Sequence, residues 1–82
     1  MADGSVTVYP NPSDGLVNFV ITSPSVETIE IVDVIGKVIE SKNFKSELTE
    51  FDLSDFSDGT YFYRLVDAGG KVILTDKVVI AE

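Results

Sequence analysis

Asp52, Asp55 and Asp58 follow one another at three-residue intervals and end at Gly59, and no other residues in this 82-residue chain come closer to a chemical site. Hard carboxylate oxygens gathered in one loop suit calcium. The spacing is not that of an EF-hand, and no glutamate stands where its closing bidentate ligand belongs. Asp and Ser in such a run also bond back to nearby backbone amides. Turn formation is therefore the preferred reading, with a cation site at these three residues as the weaker alternative. Neither a metal nor another cofactor is expected. Tyr61, Phe62 and Tyr63 suggest a different chemistry, because an exposed aromatic face can stack on a sugar ring. Strand alternation puts Tyr61, Tyr63 and Leu65 on one face and Phe62, Arg64 and Val66 on the other. The tyrosines align with Leu65 and are expected in the core, which leaves Phe62 beside Arg64 as a weak contact point. The chain has no His and no Cys, so the commonest general base and the thiol nucleophile are both missing. Ser41-Lys42 and Lys45-Ser46 sit in or beside strand and turn, and neither has the S-x-x-K spacing of a Ser–Lys site. An enzyme is the least expected class.

The elements that must position these residues are strands. Apolar residues recur with period two, and no segment carries a sustained helical stripe. Strands are expected over Ser5–Tyr9, Leu16–Thr22, Glu27–Val34, Lys37–Phe44, Leu48–Leu53, Thr60–Val66 and Lys71–Ile80. The breaks between them have stated chemistry. Tyr9-Pro10-Asn11-Pro12 removes ladder donors, Ser13-Asp14-Gly15 reads as a turn, and Pro24 ends the second strand. Ile35-Gly36 turns a hairpin, as does Asp67-Ala68-Gly69-Gly70. Ser54 to Gly59 is expected as a turn, with one helical turn capped by Ser54 as a variant of it. Seven short strands at spacings of roughly 8 to 12 residues argue a sandwich or barrel. With no helical crossovers the pairing should be mainly antiparallel. The expected fold is a small all-β, immunoglobulin-like antiparallel sandwich of about seven strands, and a closed small barrel is the alternative.

Length and charge bound the function. A chain this short is expected to form a single domain over residues 1–82, burying only about 60 to 65% of its unfolded surface. No disulfide can reinforce that thin core. There are 14 Asp and Glu against 6 Lys and Arg, for a net charge of −8. Such a surface repels phosphate backbones and anionic membranes, so neither nucleic-acid binding nor membrane insertion is expected. The acids are spread along the chain, as on a solvated surface. No run reaches the length of a membrane span. Met1-Ala2-Asp3-Gly4 is polar and does not open a signal peptide. Residues 1–4 read as linker or cloning residues, which would make the chain part of a longer protein.

Four motifs carry the reading further. Tyr9-Pro10-Asn11-Pro12 with Gly15 resembles the Y-P-N-P-x-x-G opening of the type A C-terminal sorting domain of type IX secretion cargo. Asp33-Val34-Ile35-Gly36-Lys37 is similar to that family's D-x-x-G-K hairpin. Phe51-Asp52-Leu53-Ser54 through Gly59-Thr60-Tyr61 resembles its D-L-S … G-x-Y segment, and Lys77-Val78-Val79-Ile80 resembles its closing strand. The motifs stand in the family's order and cover residues 9 to 80. The acidic end, Ala81-Glu82, departs from the family's usual branched or basic finish.

The resemblance implies an address label at the C-terminus of cargo in Bacteroidota-type bacteria, attached to an N-terminal cargo domain. Its partners would be the type IX outer-membrane machinery and a surface sortase that removes the label. The cargo would pass through periplasm and outer membrane to the cell surface or beyond, released or joined to lipopolysaccharide. Recognition is expected at the last strand, at Lys77, Val79 and Ile80, because an edge strand offers unpaired backbone groups. The same edge would permit weak self-association. Gly15, Gly36, Gly59 and Tyr61 are expected to maintain the fold, and Lys37 to pair with Asp33. The rival readings are an accessory or carbohydrate-binding module of a surface enzyme, which would bind saccharide without affecting export, and an adhesin that associates through an edge strand.

Overall fold

The computed structural model describes residues 6–22, 25–44 and 48–81. Ser5 and Pro24, expected at strand ends, lie outside these residues, as do Met1–Gly4, Lys45-Ser46 and Glu82. The strands are β1 (Val6–Tyr9), β2 (Leu16–Ile21), β3 (Thr28–Val32), β4 (Val38–Asn43), β5 (Leu48–Asp52), β6 (Gly59–Val66) and β7 (Val72–Ile80). Most are a residue or two shorter than periodicity suggests. Asp33, Val34 and Lys37 are among the trimmed residues and belong to the turn between β3 and β4.

Two antiparallel sheets form, in the orders β1-β2-β5 and β4-β3-β6-β7. This is the small all-β sandwich, with no helix among the described residues. In the constant-type immunoglobulin arrangement the fourth strand joins the sheet of the first, second and fifth. Here β4 stays with β3 instead. The connection from Asp33 to Lys37 is too short to cross between sheets, so hairpin pairing is the outcome that its length allows.

Alternation sends Val17, Phe19 and Ile21 of β2 inward, against Ile29 and Ile31 of β3 and Tyr63 and Leu65 of β6. Phe51, Leu53, Val78 and Ile80 complete the buried set. Phe19 stands at the centre. Its ring meets Phe51 edge-on at 5.4 Å within its own sheet, and Tyr63 of the facing sheet at 5.0 Å. A β-bulge between Ile31 and Val32 leaves Ile39 without a facing residue, and Ile39 packs against the core. On the open side of the sandwich Lys42 of β4 reaches across to β5, where its Nζ donates to the Glu50 carbonyl and sits 5.1 Å from the Phe51 ring centre.

The turn after β5 forms as expected, in its non-helical version. Ser54 to Gly59 contains no helical turn. Phe56 N–H donates to the Leu53 carbonyl at 3.0 Å, which closes a β-turn. The capping side chain is Asp52, not Ser54: its Oδ1 accepts from both the N–H and the hydroxyl of Ser54. Those two bonds hold the Asp52 carboxyl below its ordinary value.

Replacing Phe19 with Ala removes contacts to both sheets at once and is expected to destabilise by about 3–5 kcal/mol, measured by urea titration; a loss near that of an exposed strand residue would refute the central role. Burial pushes the Tyr63 hydroxyl above its ordinary value of 10.0, and Asp76 nearby adds to the shift. The folded state therefore favours the neutral phenol. That stability is fully present below the unfolded value and is lost as pH rises through the folded one. The urea midpoint should fall above about pH 10, and Tyr63→Phe should flatten the fall. Identical alkaline profiles for both proteins would count against this assignment.

Candidate functional site

Pro fixes φ and lacks an N–H, so the Tyr9-Pro10-Asn11-Pro12 segment cannot continue a ladder. The peptide bonds before both prolines are cis. The segment leaves β1 in one sheet and runs to the edge of β7 in the other. There Asn11 Oδ1 accepts from Val79 N–H at 3.0 Å, and Asn11 Nδ2 donates to the Lys77 carbonyl at 3.4 Å. Ser13 N–H donates to the Val79 carbonyl at 2.8 Å, and Ala81 N–H donates to the Ser13 carbonyl at 2.7 Å. Ser13 thus adds one residue of parallel pairing opposite Ile80.

Ser13 is the one buried polar residue among those described, at 1% exposure. Its hydroxyl accepts from Gly15 N–H at 2.9 Å and donates to the Leu16 carbonyl at 2.6 Å, so it bends the chain back into β2. Sequence reasoning read Ser13 only as a turn residue. The available signal was a serine two places before a glycine, the spacing of a side-chain-closed turn. Its burial has no periodic signature.

Gly15 sits at φ +131°, and a Cβ there would stand 3.0 Å from Ser54 Cα and Cβ. Its carbonyl accepts from Leu53 N–H at 2.7 Å. The Pro-Asn-Pro segment and the Asp52-Leu53-Ser54 segment therefore touch through Gly15. Gly59 faces Ile80 and Tyr61 faces Val78 in the β6–β7 ladder. The half-buried Tyr61 donates its hydroxyl to the Ser57 carbonyl and rests against Phe56, holding the loop before β6. Two of the four sequence motifs thus meet a third, the closing strand, at one end of the sandwich.

The hairpin motif stands apart in sequence but lies at the same end. Val32 faces Phe62 and Phe62 faces Lys77, so the turn after Val32 projects beyond that row in the direction in which β7 runs. Asp33 Oδ1 accepts from Ile35 N–H at 3.0 Å and Lys37 N–H at 2.9 Å. Gly36 N–H donates to the Asp33 carbonyl, and Asp33 N–H to the Lys37 carbonyl. The expected Asp33–Lys37 ion pair does not form. Backbone amides occupy the carboxylate, and the Lys37 side chain leaves the turn for solvent. An ion pair does form between Arg64 and Glu30, at 2.9 Å on facing positions of β6 and β3.

The other candidates are placed as follows. Asp52, Asp55 and Asp58 do not converge: no group of three or more metal-ligating side chains gathers among the described residues. Tyr63 is buried, Tyr61 is half-buried on β6 with its ring tilted against Phe56, and Phe62 lies half-buried opposite Lys77. Of the residues expected to be presented by the last strand, Ile80 is core at 1% exposure, and the outward groups of Val79 are taken by Asn11 and Ser13. Lys77 is exposed, but its N–H donates to the Asp76 carboxylate at 2.8 Å. By alternation Thr75 presents its backbone outward like Lys77 and Val79, and a bulge leaves Ile73 without a facing residue on β6. The open part of the edge is Val72–Asp76, where Val72, Ile73 and Leu74 are exposed.

Gly15→Ala should cost about 1–3 kcal/mol more than Gly36→Ala in urea titrations, because only Gly15 combines positive φ with overlap against a neighbouring backbone. Gly36, at φ +92° in open space, should lose only the conformational term, about 1–2 kcal/mol. Equal losses would mean that the contact with Ser54 relaxes freely.

Residues 7–81 match the sequence family described as "Secretion system C-terminal sorting domain". No curated protein matches the chain.

Proposed function

The chain belongs to the family of type IX secretion C-terminal sorting domains, and we propose that it acts as a non-catalytic, folded address label captured through β7. In this reading the outer-membrane translocon takes the folded domain with its N-terminal cargo attached. A surface sortase then cleaves the label from the exported cargo, which is released or joined to lipopolysaccharide. The observation that supports this most is the extent of the family match, residues 7–81, which leaves almost no part of the chain outside the label.

Capture by strand addition fits the geometry of β7. A β-strand edge binds an extended partner through unpaired backbone groups, and flanking side chains set specificity. In β7 the Asn11 and Ser13 contacts close the edge at residues 79–81, and Asp76 caps Lys77 N–H. The stretch Val72–Asp76 stays open, with apolar side chains beside it. The proposed contact strand therefore lies one half-strand earlier than Lys77-Val79-Ile80, with Lys77 at its boundary. The Tyr9–Gly15 segment is then the device that limits the open edge to that half.

A periplasmic reporter fused ahead of the chain should reach the surface of a bacterium with type IX secretion and lose the label there. Ile73→Lys places a charge on the open edge, which blocks strand addition. It should reduce export while leaving the melting temperature nearly unchanged, and Lys77→Glu should do the same to a smaller degree. A folded intact fusion that stays in the periplasm would overturn the sorting reading. Normal export of both variants would remove β7 as the contact strand and leave the label function standing.

A further inference from the structure

The chain makes the same turn twice. Asp67 Oδ1 accepts from Gly69 N–H at 3.0 Å and Lys71 N–H at 2.9 Å. Gly70 N–H donates to the Asp67 carbonyl at 3.0 Å, and Asp67 N–H to the Lys71 carbonyl at 2.9 Å. These are the four bonds of the Asp33–Lys37 turn, at the same spacing. Both turns read D-x-x-G-K, and they differ only in the two middle residues: Val34-Ile35 in one and Ala68-Gly69 in the other.

That pair of turns is an internal control. Ala68-Gly69 shows that the bonding pattern requires no bulk at the tip. Val34 and Ile35 nevertheless stand 69% and 85% exposed, the most exposed large apolar side chains described. Neither belongs to the core nor packs against it. Val38, which faces Val32 across the hairpin, is also exposed, so the apolar surface continues down the turn. Scattered exposed apolar residues need no explanation, but a contiguous projecting set marks an interaction site. The carboxylate of Asp33 holds this set in one conformation before any partner arrives, which lowers the ordering cost of binding.

We propose that Val34 and Ile35 form a rigid docking knob for an apolar pocket on a protein of the export route, a contact separate from capture of β7. It rests on the sorting reading. Three occupants compete for such a knob, and the chain's own properties choose among them. A second copy would need a pocket to receive it, and the described residues form none; two chains of −8 also repel each other. An anionic lipid surface repels the same charge, and two side chains are too few for stable membrane residence. A protein pocket with an apolar floor and a basic rim satisfies both the knob and the charge.

The test exchanges the two tips. Val34→Ala with Ile35→Gly gives the first turn the middle residues of the second. Ile35→Gln keeps the bulk and removes only the apolar character. Ala68→Val with Gly69→Ile is the reciprocal control, and it is permitted because a Cβ at Gly69 meets only Asp67 Oδ1, at 3.5 Å. With the full chain fused to a periplasmic reporter, the first two variants should export at least about tenfold less than the parent, the scale of losing one buried Ile contact. Melting temperatures should stay close to the parent's, and the reciprocal variant should export normally. Parent-like export of both tip variants overturns the knob alone. An intact fusion that is not exported overturns the sorting reading and the knob with it. Self-association in sedimentation, or binding to phosphatidylethanolamine–phosphatidylglycerol vesicles, that disappears with Val34→Ala/Ile35→Gly overturns the protein pocket in favour of a second copy or a membrane.

Discussion

The chain leaves one sheet at Tyr9, rejoins it at Leu16, and on the way must close the edge of the other sheet. Ser13 does this with both of its backbone groups. Its N–H and carbonyl pair with β7, while its hydroxyl satisfies Gly15 and Leu16. A buried hydroxyl in a core this thin would be costly without partners, and here it has two. Around this residue the end of the sandwich is organised: Asn11 on one side holds Val79, and Gly15 on the other holds Leu53. That crossing adds backbone hydrogen bonds to the β5–β6 connection and the side-chain packing that also join the two sheets at this end.

An acidic domain without disulfides has few ways to protect its strand edges, and this one uses several. The side where β4 and β5 lie is bridged by Lys42. The last residues of β7 are covered by Asn11 and Ser13, and Asp76 caps the amide that follows it. These devices account for the outward groups of the second half of β7 and leave open the first half, which carries three exposed apolar residues. Natural sheets usually blunt such edges against chance pairing. An edge blunted over one half and open over the other is consistent with a label that must be captured by one partner and ignored by the rest.

The two D-x-x-G-K turns show how one local solution serves two purposes. In each an aspartate carboxylate gathers two amides, and a positive-φ glycine lets the chain return. The bonding is indifferent to the two middle residues, so those positions are free to carry something other than stability. At one end of the sandwich they carry little; at the other, where the four motifs assemble, they carry two branched apolar side chains.

Much of the fold was legible in the sequence. Period-two alternation located all seven strands to within a residue or two, because side chains on a half-buried sheet must alternate between core and water. It also sorted Tyr63 and Leu65 from Phe62 and Arg64. Pro and Gly marked the turns, since few other residues meet their backbone requirements. Short-range chemistry of this kind depends only on neighbours in the chain. What the sequence left undetermined depends on residues far apart in it. The contact of Gly15 with Ser54 and the meeting of Asn11 with Val79 are of this kind. The outward groups of Val79 looked available for contact because strand periodicity does not say which half of an edge a distant loop will cover, whereas Ile80 is buried on the same face as Val78. The exchange of the Asp33–Lys37 ion pair for amide bonds was decided by turn geometry: a carboxylate within reach of two fixed N–H groups is satisfied by them before a mobile ammonium can compete.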